Sequence, residues 1–141
     1  MTEEAHDAEE RLALVRKGYD ALERGDWETV LSLIDPEIEV HSIPEGPDPD
    51  VYHGIAGLLE NYGKTAEMFG EIHFVPDELM DAGEHVIAFG RLVGTGKASG
   101  APVEASGAHV WTLRNNKAIR VRAFMTREQA LEAAGLSDEP T

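Results

Sequence analysis

Hydrophobic positions in the first half of the chain recur at three- and four-residue steps, the period of an amphipathic helix. This pattern predicts a long helix over residues 7–24, a short one beginning at Trp27 and a third over 54–70. Asp7 and Glu10 resemble an N-terminal capping pair for the first helix, and Gly25 is a suitable stop. The stripes consist of Leu12, Val15, Tyr19 and Leu22; of Trp27, Val30, Leu31 and Ile34; and of Ile55, Leu58, Leu59, Tyr62, Ala66 and Phe69.

Beyond residue 70 the period changes to the two-residue alternation of strands. Four strands are predicted, over residues 71–79, 84–95, 102–113 and 118–125, and an earlier short strand is predicted over 38–43. The proline-rich stretch 44–50 is expected to be a loop, and Asn115-Asn116 is expected to be a turn. A last helix follows from Thr126, where Thr126-Arg127-Glu128-Gln129 forms a capping box, and Gly135 ends it. Three helices followed by consecutive antiparallel strands predict an α+β domain.

Composition narrows the class of protein. The length of 141 residues fits one domain over residues 1–141, with 1–6 and 137–141 expected to be flexible. The formal net charge of −15 argues against nucleic-acid and anionic-membrane partners, both of which require a basic surface. The acidic N-terminus is unlike a signal peptide, and no apolar run is long enough to span a membrane, so a cytoplasmic protein is expected.

Five stretches carry a resemblance to a known family. In this order they are Gly25-Asp26-Trp27-Glu28, Asp35-Pro36-Glu37-Ile38-Glu39-Val40-His41, Ser99-Gly100-Ala101-Pro102-Val103, His109-Val110-Trp111-Thr112-Leu113-Arg114 and Glu128-Gln129-Ala130-Leu131-Glu132-Ala133-Ala134-Gly135-Leu136. Together they resemble the SnoaL-like branch of the nuclear transport factor 2-like superfamily, over about residues 8 to 136. The resemblance implies a cone-shaped curved antiparallel sheet wrapped by three N-terminal helices plus a short C-terminal helix. It also implies an apolar cavity and a homodimer formed through the outer face of the sheet.

Two histidines occupy positions at which relatives in this superfamily keep catalytic groups. By the resemblance, His41 stands where ketosteroid isomerase has a proton-shuttling aspartate, and His109 stands where it has a protonated aspartic acid that stabilises an oxyanion. Glu39 shares a strand face with His41 and is suited to orient its ring. Trp111 shares a face with His109, so burial should favour the neutral imidazole. The alternative for His41 is a partly solvated residue at a strand end.

Other candidates are less specific. Aromatic residues and methionine are more often ordinary core residues than cavity lining. Tyr19 lies one residue beyond the position that corresponds to the isomerase's oxyanion tyrosine, which falls on Gly18, so it is expected to be a core residue with its hydroxyl at the cavity edge. The residues predicted to line the cavity are Tyr19, Trp27, Tyr52, Met68, Phe74, Phe89, Trp111 and Phe124.

The sequence also bears on two other activities of the superfamily and on a metal site. His73 and Glu23 partly match scytalone dehydratase, but its second histidine has no counterpart here. Limonene epoxide hydrolase needs an arginine between two aspartates, whereas Arg91 and Arg122 are expected to face outward without a carboxylate pair. The six histidines show no metal-ligand spacing, so no metal is predicted. The glycines of residues 94–100 lie between two strands rather than between a strand and a helix, so no phosphate-binding loop and no cofactor is predicted.

The leading hypothesis is a cofactor-independent isomerase, cyclase or dehydratase that acts on a hydrophobic carbonyl compound of the polyketide, steroid or terpenoid kind. His41 would be the base, oriented by Glu39, and His109 would donate a proton or a hydrogen bond to the enolate oxygen. The alternative is a non-catalytic ligand-binding or dimerisation module of the same fold. The two hypotheses differ in whether His41 and His109 lie close enough to share one ligand.

Overall fold

The computed structural model describes residues 3–43, 51–69, 72–96 and 99–136. Its helices are α1 (Glu3–Arg24), α2 (Trp27–Ser32), α3 (Gly54–Phe69) and α4 (Arg127–Ala133). The predicted capping box at Thr126 and Gln129 is confirmed, and Asp26 caps α2 by accepting from the Thr29 amide. The predicted loop over 44–50 and the tail over 137–141 lie outside the described residues.

The predicted start of the first helix is wrong, because Asp7 and Glu10 lie inside α1. Glu3, Glu4 and Ala5 continue the helix towards the N-terminus. Acidic side chains are favourable at that end of the helix macrodipole, and alanine has the highest helix propensity.

The strands are β1 (Ile34–His41), β2 (Val51–His53), β3 (Ile72–Ala82), β4 (His85–Thr95), β5 (Pro102–Arg114) and β6 (Lys117–Phe124). They form one six-stranded sheet in the order β2-β1-β6-β5-β4-β3. All neighbouring pairs are antiparallel except β1 and β6, which run parallel. The three-residue strand β2 was not predicted, since it is too short to show an alternation.

The second helix ends earlier than its apolar stripe predicts, because Ile34 belongs to β1. Ile34 pairs with Ala118 of β6, and the Ala118 amide donates to the Leu33 carbonyl oxygen at 2.9 Å. Ladder bonds to β6 therefore extend β1 towards the N-terminus as far as Ile34, with a register shift between Ile34 and Glu39.

The sheet has two apolar faces with different partners. The inner face packs against α1 and α2, and its buried residues include Ile38, Val40, Val86, Leu113 and Val121. The outer face packs against α4, and its buried cluster consists of Ile87, Phe89, Ala108, Val110, Ala130 and Leu131. None of the helices in the described part of the chain combines the length and the apolar character needed to cross a membrane.

Candidate functional site

Three polar aromatic side chains meet on the inner face of the sheet. His109 and Trp111 lie two residues apart on β5, so the strand alternation points both towards α1. Tyr19 lies on the buried stripe of α1 and faces them, with 9% of its surface exposed. The indole Nε1 of Trp111 donates to the Tyr19 hydroxyl at 2.7 Å, and that hydroxyl lies 2.8 Å from Nδ1 of His109. A helix and a strand 90 positions apart in sequence thus share one hydrogen-bonded trio.

The donors and acceptors of this trio determine the tautomer of His109. An indole nitrogen only donates, so the Tyr19 oxygen accepts from Trp111. The tyrosine proton then needs an acceptor, because a buried hydroxyl proton without a partner costs about 1–3 kcal/mol. Nδ1 of His109 is the group within reach. We therefore assign Nδ1 as the acceptor and place the ring proton on Nε2.

Burial keeps both titratable members of the trio neutral near pH 7. It lowers the pKa of His109 to about 4, because the imidazolium loses its hydration. Burial also raises the pKa of the Tyr19 hydroxyl, an effect that the hydrogen bond from Trp111 partly opposes. A neutral histidine that donates from Nε2 stabilises developing negative charge on an oxygen without itself carrying a charge.

Aromatic rings enclose His109. The Phe74 ring centroid lies 4.2 Å from that of His109, and the Tyr19 ring lies nearly parallel to His109 with its centroid 6.1 Å away. Among the described residues no protein group accepts from Nε2, and this half-buried ring keeps part of its edge accessible. The trio therefore leaves one oriented donor open in apolar surroundings.

A small apolar cavity adjoins Tyr19 and Trp111 on the side of α2, and His109 is not among its lining residues. Its volume is about 60 Å³. Gly18 helps to create it by leaving α1 without a side chain at that point. Pockets that enclose drug-sized ligands occupy roughly 300–1,000 Å³, so the cavity accepts only a small apolar group unless its walls move. The lining residues besides Tyr19 and Trp111 are Leu14, Val15, Gly18, Leu22, Val30, Leu33, Ile34, Leu113 and Ala118.

His41 and Glu39 form the predicted pair but lie on the outer face. His41 Nε2 is 2.9 Å from Glu39 Oε1. His41 pairs with Arg122, and Arg122 pairs with Val110, which belongs to the cluster under α4. Directly paired residues share a face of a sheet, whereas His109 lies on the opposite face. The structure does not bring the two histidines together, so the predicted action of both on one molecule is corrected.

The other predicted lining residues are divided between the two faces. Phe89 and Phe124 belong to the outer cluster with α4, so their predicted place in a cavity with His109 is wrong. Trp27 and Tyr52 belong to the inner core, where Trp27 packs against Tyr62 and the Tyr52 hydroxyl accepts from Lys64 at 2.9 Å. The side chain of Met68 lies outside the described residues. Of the described members of this set, Tyr19, Phe74 and Trp111 are the ones in ring contact with His109.

Both arginines left open by the sequence lie on the outer face. Arg91 does have a carboxylate pair, contrary to expectation, because it contacts Asp77 at 3.1 Å and Glu104 at 3.1 Å. Arg91 pairs in register with Ser106, which shares the face of Ala108. These ion pairs are exposed and contribute little to stability. Within the described ranges no group of three or more metal-ligating side chains is formed.

Comparison with known proteins is consistent with this fold. The family described as the SnoaL-like domain matches residues 15–121, about three quarters of the chain. The chain belongs to the SnoaL-like domain family. No curated protein matches the sequence of this SnoaL-like domain.

Solved structures resemble this SnoaL-like domain over almost its whole length. An NTF2-like protein from Burkholderia thailandensis E264 is 27% identical with a TM-score of 0.73, and the match covers 92% of this chain and 98% of that one. A putative SnoaL-like polyketide cyclase from Jannaschia sp. CCS1 is 18% identical with a TM-score of 0.70, covering 99% and 98%. TerC, co-crystallised with polyporic acid, is 22% identical with a TM-score of 0.73, covering 89% and 98%.

The hydrogen bond between Tyr19 and His109 was missed by sequence reasoning. The signal was present in two local patterns, since Tyr19 lies on the apolar stripe of α1 and His109 lies on the same strand face as Trp111. What was lacking was the distance between α1 and β5 in the SnoaL-like domain, which no local pattern contains.

Proposed function

We propose that the chain binds a small, mostly apolar carbonyl compound on the inner face, and that His109 donates a hydrogen bond from Nε2 to the carbonyl oxygen. The observation that supports this proposal is the 2.8 Å contact between the Tyr19 hydroxyl and His109 Nδ1. It orients the imidazole and leaves its second nitrogen as a donor among apolar rings. Low surrounding polarity strengthens such a donor.

Polarisation of a carbonyl favours removal of a proton from the neighbouring carbon, the first step of isomerisation, cyclisation or dehydration through an enolate. In that reaction His109 would stabilise the enolate oxygen. His41 is not the base, because it lies on the other face of the sheet. Among the described residues no carboxylate or second histidine is hydrogen-bonded to the trio or in ring contact with it. This observation favours the second candidate function, non-catalytic binding with a polarised carbonyl.

The test uses small ketones, because His109 is half-buried beside Phe74 and Tyr19 and a large ligand would be hindered from reaching Nε2. Acetophenone and cyclohexanone labelled with carbon-13 at the carbonyl are titrated into the protein, and the carbonyl stretching frequency is measured by infrared difference spectroscopy. Binding to the wild type should lower the frequency. His109→Phe should abolish that change and weaken binding about tenfold, as expected for loss of one hydrogen bond in an apolar site. Tyr19→Phe should reduce the frequency change, because Nδ1 is then free to take the ring proton.

His41→Ala is the matched control, because it removes an imidazole from the outer face, and it should leave both measurements unchanged. Exchange of the α-protons in D₂O, followed by NMR, separates catalysis from binding, because only enolisation incorporates deuterium. An unchanged frequency shift in His109→Phe, or the absence of binding by any ketone, would contradict the proposal.

The family resemblance also predicts a homodimer formed through the outer face, and we propose this assembly for the SnoaL-like domain. Helix α4 covers part of that face above β4, β5 and β6. The part over β1, β2 and the adjoining end of β6 is one area that α4 leaves uncovered for a second copy. Sedimentation velocity over a range of protein concentrations tests the proposal, and a monomer at all concentrations would contradict it.

A further inference from the structure

A row of polar side chains crosses the outer face over five strands. Register pairing connects His53 with Glu39, Glu39 with Arg120, Arg120 with Thr112, and Thr112 with His85. Directly paired residues lie side by side on one face, so these five residues form a continuous line, here called the polar row. His41 and Arg122, which also pair with one another, lie two residues further along β1 and β6 on the same face.

The polar row contains a single carboxylate, which is already engaged. Glu39 Oε1 lies 2.9 Å from His41 Nε2 and 3.7 Å from Arg120 Nε, the second being too long for a hydrogen bond. The bond from His41, followed by the charge of Arg120, lowers the pKa of Glu39. Because Glu39 is already engaged in this way, it offers little additional negative charge to the arginines. At the other end of the row, His85 Nδ1 lies 2.9 Å from the Thr112 hydroxyl.

Arg122 has even less negative charge nearby to compensate its own positive charge. Among the described residues no carboxylate comes within salt-bridge distance of it, and its hydrogen bond goes to the Ala133 carbonyl oxygen at 2.8 Å. The Nε atoms of Arg120 and Arg122 are shielded from solvent and find no hydrogen-bond acceptor in the described part of the chain. Burial, with a further contribution from the positive charge of Arg120, lowers the pKa of Arg122. Two partly desolvated cations thus lie two residues apart on one strand face, and among the described residues Glu39 is the one carboxylate near them, 3.7 Å from Arg120 and already bonded to His41.

This arrangement is unusual for the chain as a whole. With 27 acidic and 12 basic residues, carboxylates are abundant, and Arg11 and Arg91 each have one within hydrogen-bond distance. Desolvated charge is costly unless a partner compensates it. Guanidinium groups match the planar edge of carboxylates and the oxygens of phosphate. We propose that Arg120 and Arg122 form a binding site for a small oxyanion, a carboxylate or phosphate, on the outer face.

The accessible groups around the two arginines suit this ligand. Arg120 is 40% exposed and His41 is 32% exposed, so both reach solvent at the rim of the site. His41 and the exposed His53 add hydrogen-bond donors when protonated. The site lies on the opposite side of the sheet from His109 and does not depend on the hydrogen bond proposed for that residue, but it overlaps the area proposed above for a second copy of the chain.

The test measures binding of inorganic phosphate and of succinate by isothermal titration calorimetry, with sodium chloride adjusted to constant ionic strength. The wild type should bind at least one of the two. Arg122→Gln should bind about tenfold or more weakly, since a charged hydrogen bond is worth about 1.5–3 kcal/mol. Arg91→Gln is the matched control, because Arg91 lies on the same face but already has two carboxylates, and its affinity should equal that of the wild type. Arg120→Gln provides a second variant in case loss of the contact to Ala133 perturbs α4.

A local readout comes from His85. Its pKa is lowered by burial first, and the charges of Arg122 and Arg120 contribute to the decrease. A bound oxyanion offsets those charges, so the NMR titration midpoint of His85 should rise on addition of the ligand in the wild type and in Arg91→Gln. Comparison of phosphate with succinate shows which oxyanion the site prefers.

Three results would overturn the proposal. The first is equal affinity in the wild type, Arg122→Gln and Arg120→Gln, which would place the ligand elsewhere. The second is no binding of either oxyanion and no change at His85. The third is a wild-type dimer that binds no oxyanion and dissociates in Arg122→Gln, which would assign the missing negative charge to a second copy of the chain.

Discussion

At position 109 the surroundings of the imidazole, rather than its intrinsic pKa, set its charge and orientation. A free histidine is partly charged near pH 6.5. Here the ring contacts Phe74 and Tyr19, and the hydrogen bond from the tyrosine occupies Nδ1. The same side chain on the outer face, as at His41, pairs with a carboxylate and remains partly exposed. Residue type alone therefore does not define the chemistry of either histidine.

The burial of His109 predicts a pH dependence of stability. In the unfolded chain it titrates near ~6.5, and in the folded protein its pKa is about 4. Between these values the unfolded state binds more protons than the folded state. The contribution of His109 to the free energy of unfolding is therefore fully present above pH ~6.5, decreases as the pH falls, and changes no further below pH ~4. The loss is on the order of 3 kcal/mol, from about 1.4 kcal/mol per pKa unit.

Urea denaturation at pH 7.5 and pH 5 measures this effect. His109→Gln is the control. Its carboxylates contribute to acid sensitivity as they do in the wild type, but the contribution of His109 is absent. The wild type should lose more stability than the variant between the two pH values. An identical loss in both proteins would mean that His109 is not desolvated.

At the scale of elements, a close contact between β3 and β4 positions the aromatic wall of the site. The register of β3 shifts between Pro76 and Glu78, opposite Gly90 of β4. A Cβ at Gly90 would collide with the Val75 carbonyl oxygen and would lie 3.0 Å from Phe74 Cζ. Glycine thus allows the bulged strand to approach, and Phe74 reaches the ring of His109.

Gly90→Ala should therefore destabilise the protein by about 1–3 kcal/mol or more, the usual cost of overpacking. The matched control is Gly63→Ala in α3, where an added Cβ meets no atom within 4 Å. Because alanine favours helix, that variant should gain roughly 0.5–1 kcal/mol. Thermal and urea unfolding of both variants test the pair, and a Gly90→Ala protein as stable as the wild type would show that the contact is not tight.

At the scale of the whole molecule, the sheet separates two sets of ionisable residues. The inner face presents the neutral trio of Tyr19, His109 and Trp111, whereas the outer face presents His41, Glu39 and the arginines of β6. Backbone and apolar side chains lie between them, with Val40 and Val121 on one side and Val110 on the other. The two faces should therefore act as independent sites.

A double-mutant cycle tests this independence. The effects of His41→Ala and His109→Ala on the free energy of unfolding should add within about 0.5 kcal/mol, because the residues share no partner. Tyr19→Phe combined with His109→Ala is the positive control, since these residues touch, and a coupling of roughly 0.5–3 kcal/mol is expected. A coupling between His41 and His109 above that of the control would restore the hypothesis that they act together.

Much of the fold was predictable, because it depends on local signals. The apolar stripe of α1, the alternation of β4 and β5 and the capping box at Thr126 each depend on residues a few positions apart. Turn chemistry was equally reliable, since Asn115 and Asn116 adopt φ values of 53° and 62°, as a two-residue hairpin turn requires. The errors in prediction occurred where pairing between distant strands decides the boundary of an element. Ile34, for example, belongs to β1 and not to the helix before it.

The sequence by itself determined which residues share a strand face. Glu39 and His41 lie together, as do His109 and Trp111, because side chains alternate with a period of two whatever the strand packs against. Tertiary structure alone decided which face each pair occupies. Strand order and register set that outcome: β1 lies beside β6, and the pairing aligns His41 with Arg122 and His109 with Ala123. A shift of one residue in either register would exchange the faces, and no local pattern records it.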